Sequence, residues 1–342
     1  MPISKLNERC ETMSYCSENR LPLKTPINRL IEVIELLGYK KGTDQLKLEN
    51  QIAFYYWNGD IDHISFVGIT LHVYKEEDHI LVTTRTRIGR SYWDLQQQNK
   101  TISLLKSLFG GSFCTDEGGN RYMKFDVPEP SKLACSLFVA RWVFHNALIN
   151  PSVYLSSRKL TGGFAEQGLT GLPWIDEMNP MVLSNNMLIP YIIGCWESYF
   201  RQSFISIVRY ADNIPDKALK NCRISNLELL QATRQPELLV YYLADSLSFQ
   251  RPTVIAENFK QLNPKIDIAS WLRKPYHNRK KTLFDSIADI IDLRDKLVHT
   301  GTLSIDVSDQ EVKRIIADLT EAANRIYDGF GMIFDFEPSY NF

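Results

Sequence analysis

The segment TLFDSIADIIDLRDKLVHTG, residues 282–301, decides how the second half of this chain folds. Leu283/Phe284, Ile287, Ile290/Ile291 and Leu297/Val298 recur at the period of an α-helix and mark one buried stripe. Arg294 falls one turn after Ile290/Ile291 and one turn before Leu297/Val298, inside that stripe. A cation placed there is costly unless it is paired or used. His299 follows five positions later, and Thr300-Gly301 reads as the helix terminus. The partial negative charge of a helix C-terminus favours imidazolium, which suits a histidine that must donate a proton.

Outward from this helix the pattern is helical from about residue 181. Asn185–Tyr210 reads as a long helix broken at most at Pro190. Leu227–Leu247 reads as one or two helices around Pro236, Pro252–Leu262 as another, and Ser308–Tyr327 as the last amphipathic one. The expected division is therefore an all-α bundle over 181–330 with a tail at 331–342. Residues 151–180, punctuated by Gly162-Gly163, Gly168 and Gly171-Leu172-Pro173, read as a connector.

Before the connector the period changes. Residues 1–24 lack periodicity and read as a flexible leader. Ile27, Leu30, Ile31, Ile34 and Leu37 lie on one helical face that stops at Gly38. Ile52–Trp57, His63–Val73 and His79–Arg87 are rich in β-branched and aromatic residues, and turn-forming residues separate them. They predict an antiparallel meander. Asp94–Leu108 predicts a helix closed by Gly110-Gly111. A hairpin of Phe113–Thr115 with Tyr122–Val127 follows around Asp116–Gly119, and Ser131–Ala147 predicts another helix. The sequence thus predicts an α+β domain over 25–150, an antiparallel sheet with helices, followed by the helical bundle.

The 39 lysines and arginines nearly balance 40 acids, a formal net charge of −1. Proteins that coat duplex nucleic acid are usually basic, because phosphate neutralisation supplies most of that affinity. The balance argues against such coating but leaves room for a local cationic site. Six cysteines (Cys10, Cys16, Cys114, Cys135, Cys195 and Cys222) show no zinc spacing and read as reduced thiols of a cytoplasmic protein. No segment has the apolar length of a membrane span or a signal peptide, so no membrane association is expected. P-loop, GxGxxG, HExxH and GxSxG signatures are absent.

The string Leu293-Arg294-Asp295-Lys296-Leu297-Val298-His299-Thr300-Gly301 resembles the Arg-x4–6-His signature of HEPN domains, with four residues between the two. The amphipathic helix around it, the short Gly-containing link, the final helix (Val312, Ile315, Ile316, Leu319, Ala322, Ile326) and the cluster Cys195–Phe200 on an earlier helix resemble the family too, over about residues 180–330. The resemblance implies a metal-independent endoribonuclease without cofactor, in which the ribose 2′-OH attacks the adjacent phosphate and leaves a 2′,3′-cyclic phosphate. His299 is then the acid or base, Arg294 the phosphate clamp, and Asp295 the residue that orients His299 or the 2′-OH. Many members carry Asn at position 295; Asp adds a negative charge beside the phosphate. Glu197 is the expected supporting partner from the earlier helix. The resemblance also implies a homodimer with the site at a two-fold interface. Arg294 and His299, five residues apart, lie about 140° apart on an ideal helix. Either the last turn distorts or a second protomer completes the site.

Arg273, Lys274, Tyr276, Arg279, Lys280 and Lys281 interleave cations with an aromatic ring just before this helix. They are candidates for contact with single-stranded RNA or tRNA. Arg85 and Arg87, two apart on an expected strand, share one side of the sheet. Among HEPN-like proteins the implied role is that of a toxin or anti-phage effector, with an antitoxin or trigger partner on the N-terminal domain. The alternative is a non-catalytic module that binds a partner such as a nucleotidyltransferase antitoxin. Members of that class carry Tyr two residues after the histidine, where this chain has Gly301. A third reading places a metal nuclease in the α+β domain, but Asp60, Asp62 and Asp116 fall in or beside expected turns.

Overall fold

The computed structural model describes residues 14–43, 50–59, 65, 67–87, 90–125, 129–160, 170–212, 214–215, 219–220, 222–277 and 279–339. The chain divides into two compact units, residues 1–135 with 339–342, and residues 136–338.

The first unit is an antiparallel sheet with two helices on one face. Its strands are β1 (Cys16–Pro22), β2 (Lys40–Lys41), β3 (Gln51–Trp57), β4 (Ile69–Lys75), β5 (His79–Thr86), β6 (Ser112–Thr115) and β7 (Gly118–Gly119), in the order β2-β3-β4-β5-β1-β6-β7. Alternation along β4 turns Ile69, Leu71 and Val73 inward and leaves Thr70, His72 and Tyr74 on the other face. Helices α1 (Ile27–Leu36) and α2 (Tyr92–Phe109) cover the inner face. Leu30, Ile34 and Leu105 pack there against Leu21, Tyr55, Leu71 and Val82.

Three expectations for this unit change. The expected leader, residues 1–24, contains a central strand: β1 pairs with β5 along its whole length and with β6 on its other side. Two of its three inward residues are polar. Ser17 Oγ lies 2.5 Å from Thr84 Oγ1, and Asn19 donates to the Ile102 carbonyl at 3.3 Å. Hydrogen bonds rather than apolar area seat this strand, so a hydrophobic period does not reveal it. Second, β4 begins at Ile69, not His63, which lies outside the described residues with Asp60 and Asp62. Third, the hairpin return is only Gly118–Gly119. Beyond it, the Met123 backbone pairs with the Asn99 side chain of α2 in both directions, at 2.9 and 2.8 Å, and not with a strand.

Helix α3 (Lys132–Leu160) runs well past the expected end at Ala147 and through Pro151, into the region read as a connector. From Ser136 onward it belongs to the second unit, where Phe144 packs edge-on to Trp196 and Arg141 donates to Asn324 at 2.9 Å. Of the expected connector, 161–169 lie outside the described residues, and Pro173–Asp176 forms the short helix α4.

The second unit is a helical bundle around α5 (Pro180–Tyr210), which continues through Pro190. It is completed by α6 (Asn226–Arg234), α7 (Leu239–Asp245), α8 (Pro252–Leu262), α9 (Ile268–Arg273), α10 (Leu283–Thr300) and α11 (Asp309–Phe334). Trp196, Phe200, Phe204, Phe259 and Phe330 form the aromatic centre, largely edge-to-face. Helix α11 outlasts its expected end by about two turns, and the expected tail folds back, with Phe336 N–H donating to the Gly331 carbonyl at 3.1 Å. Among the described residues no helix is long and apolar enough to cross a membrane.

Candidate functional site

Thr282 caps the start of α10 by accepting from the Asp285 N–H, and Gly301 ends it in the left-handed region at φ 67°, donating to the Leu297 carbonyl at 3.0 Å. The link from Gly301 to Ser308 is held against α5 by two adjacent asparagines. Asn186 accepts from the Ser304 N–H at 2.9 Å and donates to the Ser304 carbonyl at 2.8 Å, while Asn185 donates to the Val307 carbonyl at 2.9 Å. Arg158 ties the same place together by pairing with Asp309 and donating to Asn185 at 3.1 Å. These contacts fix the end of the helix that carries His299.

Arg294 reaches the wall of an open cleft of about 460 Å3 between α5, the end of α7 and the loop before α8. Its side chain is 25% exposed. Nη1 donates to Asp295 Oδ1 at 3.0 Å, Nη2 stands 4.0 Å from Glu197 Oε1, and the buried Nε has no hydrogen-bond partner among the described residues. Burial pushes the Glu197 carboxyl up, and the nearby Asp295 adds to this while Arg294 opposes it. Arg294 thus bonds Asp295 of its own helix and stands beside Glu197 of α5.

Asp295 is more heavily engaged than its place in the motif indicates. Oδ1 also accepts from Gln250 Nε2 at 3.3 Å, and Oδ2 from Arg251 Nη2 at 2.9 Å. Arg251 pairs with Asp292 as well, at 2.9 Å, so it braces two carboxylates of α10 one turn apart. Its guanidinium is held above the usual range, first by the hydrogen bond to Asp292. The negative charge of Asp295 is thus shared between the guanidinium groups of Arg294 and Arg251.

His299 lies in the last helical turn, exposed, with no hydrogen-bond or ion-pair partner among the described residues. The helix stays regular through Thr300, so the last turn does not rotate His299 toward Arg294. Within one chain the two side chains remain on faces about 140° apart.

The basic segment sits at the other end of α10, about 18 Å from Arg294 along the helix axis. Its residues largely engage their own neighbourhood. Arg273 stacks on Phe284 at 4.3 Å, Arg279 donates to buried Asp318 at 2.7 Å and covers Tyr276, and Lys281 pairs with Asp289. The Lys274 carbonyl accepts from Arg325 at 2.9 Å, and the Lys280 side chain is exposed. The structure does not bring this segment to the Arg294 cleft.

Arg251, Gln250, Asn185 and Asn186 were not picked out from sequence. The asparagine pair within an apolar helix, and an arginine immediately before the Pro252 that opens α8, are the only signals they leave. Among the described residues no group of three or more His, Cys, Asp or Glu side chains is placed to hold a metal ion. Asp116 instead accepts from the Cys16 backbone N–H at 2.9 Å, which ties β1 to the hairpin.

No curated protein and no solved structure matches the chain. Residues 176–331 match the family model described as RiboL-PSP-HEPN, a span that takes in α5 to α11 with the Arg294 cleft and His299, and the C-terminal half of this protein is a HEPN-family domain.

Proposed function

We propose that the helical unit is a metal-independent endoribonuclease that works as a homodimer, each site taking Arg294 from one protomer and His299 from its partner. One observation carries this reading: in a HEPN-family domain, Arg294 reaches an open cleft with its Nε unpartnered among the described residues, and an unengaged His299 follows on the same regular helix but on another face. Such a helix serves two sites when a two-fold axis sets a second copy against it.

In this scheme the ribose 2′-oxygen attacks phosphorus as His299 takes its proton, and the P–O5′ bond breaks. The His299 imidazolium gives the proton back to the leaving 5′-oxygen, leaving a 2′,3′-cyclic phosphate and a 5′-hydroxyl. The Arg294 guanidinium binds two non-bridging oxygens and stabilises the charge that gathers there. Asp295, already bound by Arg251 and Gln250, orients Arg294 and is not the base. RNA is the substrate class, and the cellular role is that of a toxin or anti-phage effector held in check by a partner.

The test is incubation of the purified protein with tRNA and mRNA in EDTA. Cleavage with cyclic-phosphate ends is expected, falling at least about 100-fold in Arg294→Ala and in His299→Ala. Folded wild-type protein that leaves every RNA intact overturns the reading in favour of a non-catalytic module. For the cellular role, growth arrest on expression of the wild type but not of His299→Ala is expected. Equal growth with intact RNA in both removes the toxin assignment.

A further inference from the structure

Among the described residues of the first unit, no helix packs on the second face of the sheet. The strand register sets its outward residues in rows. One row runs Lys40, Tyr56, Thr70, Arg85, Cys16; the next runs Phe54, His72, Thr83, Glu18, Cys114. Tyr74, Leu81 and Arg20 follow in a third. Phe54, His72 and Tyr74 form a line of adjoining rings, with centroids 4.7 Å apart for Phe54 and His72 and 6.0 Å apart for His72 and Tyr74, the latter pair nearly parallel. Tyr56 stands beside them, 38% exposed.

The charge on this face is one-sided. Arg20, Lys40 and Arg85 are exposed on it, as is Arg87 just past β5, against the single carboxylate Glu18 among these outward residues. Glu18 lies 3.5 Å from Arg20 and compensates only that one. The acidic turn Glu76–Asp78 bounds the Tyr74 end, so Lys40, Arg85 and Arg87, which form no ion pair among the described residues, lie toward the opposite end, beside Tyr56.

Aromatic rings on an open sheet, spaced among arginines and lysine, suit a strand whose bases are unstacked and whose backbone is anionic. A peptide strand would need no such cations. A duplex hides its base faces and cannot use the rings.

We propose that this face is a binding platform for single-stranded RNA, with bases stacked on Phe54, Tyr56, His72 and Tyr74 and phosphates held by Lys40, Arg85 and Arg87. The proposal goes beyond the nuclease reading and does not rest on it.

The test uses the full chain carrying His299→Ala, in EDTA, with a fluorescein-labelled oligouridine of about 12 nucleotides read by anisotropy. Adding Tyr56→Ala and Tyr74→Ala should weaken binding about tenfold or more, while Tyr56→Phe with Tyr74→Phe keeps it. Lys40→Ala with Arg85→Ala should flatten the salt dependence. A duplex of the same length should bind more weakly. Ultraviolet cross-linking of 4-thiouridine RNA to the protein without sheet substitutions gives a readout independent of variant folding, with adducts expected within 54–74. Unchanged affinity in the folded Tyr→Ala variant, preference for duplex, or adducts confined to 273–281 overturns the proposal. Binding only to an extended peptide and not to RNA overturns it equally. Platform binding without cleavage by the unsubstituted protein would sink the nuclease reading alone.

Discussion

Asp295 shows how one residue's role follows from the bonds it already makes. In the proposed mechanism a carboxylate that already accepts from Arg294, Arg251 and Gln250 orients Arg294 rather than taking a proton. Asp295→Asn should retain cleavage within about tenfold of wild type in single-turnover assays, whereas Asp295→Ala, which releases Arg294, should lose more. A pH–rate profile that loses its acid-side limb in Asp295→Asn would instead make Asp295 the base. Asp318 lies at the opposite extreme of burial, fully enclosed, and accepts from Arg279, Ser286 and Arg314 at 2.7–2.8 Å. Asp318→Ala takes a carboxylate from two guanidinium groups, each about one-third exposed, of which Arg314 keeps Glu311 at 2.8 Å. Solvent relieves part of that loss, leaving an expected cost of about 2–3 kcal/mol in urea titrations.

At the scale of the element, helix ends decide the outcome. Gly301 terminates α10 at φ 67°, and a Cβ there would meet nothing within 4 Å. The cost of Gly301→Ala is therefore conformational alone, about 1 kcal/mol, while Gly301→Asn should be milder. Thermal melts would separate the two. The same backbone geometry accounts for glycine where the nucleotidyltransferase-paired class carries tyrosine. Helix α2 opens with a capping box in which Asp94 accepts from the Ser91 N–H at 2.7 Å and from Ser65. Burial nonetheless pushes the Asp94 carboxyl up to about 6. The folded unit then binds a proton that the unfolded chain has released. Stability from this group is full below about pH 4 and declines as pH rises through about 6. Asp94→Asn should remove that decline, seen as denaturation midpoints of the first unit that no longer fall between these pH values.

For the whole molecule, a site shared across a two-fold axis makes a prediction that a site within one chain does not. Arg294→Ala and His299→Ala protein, each inactive, should regain about one quarter of wild-type activity when unfolded together, refolded and mixed at equal ratio. Half of the resulting dimers are mixed, and each mixed dimer holds one intact pair. No recovery, in a preparation shown by light scattering to contain dimers, would place both groups of a site in one chain.

The fold class of each half, the ends of α8 and the course of α10 were readable from the sequence, because they follow from hydrophobic period and local cap chemistry. So were Arg294 and His299 as the residues to inspect, since a cation inside an apolar stripe is a local anomaly. Tertiary structure alone decided the rest. The strand β1 is seated by hydrogen bonds to residues far along the chain, and α3 owes its partners to α5 and α11, beyond the reach of any local pattern. It also decided that Asp295 is bound by Gln250 and Arg251, and that the basic segment faces α11 rather than the cleft. Spacing along a helix shows that two side chains diverge, but only the regular last turn of α10, pinned through Asn185 and Asn186, shows that the divergence persists in the folded chain.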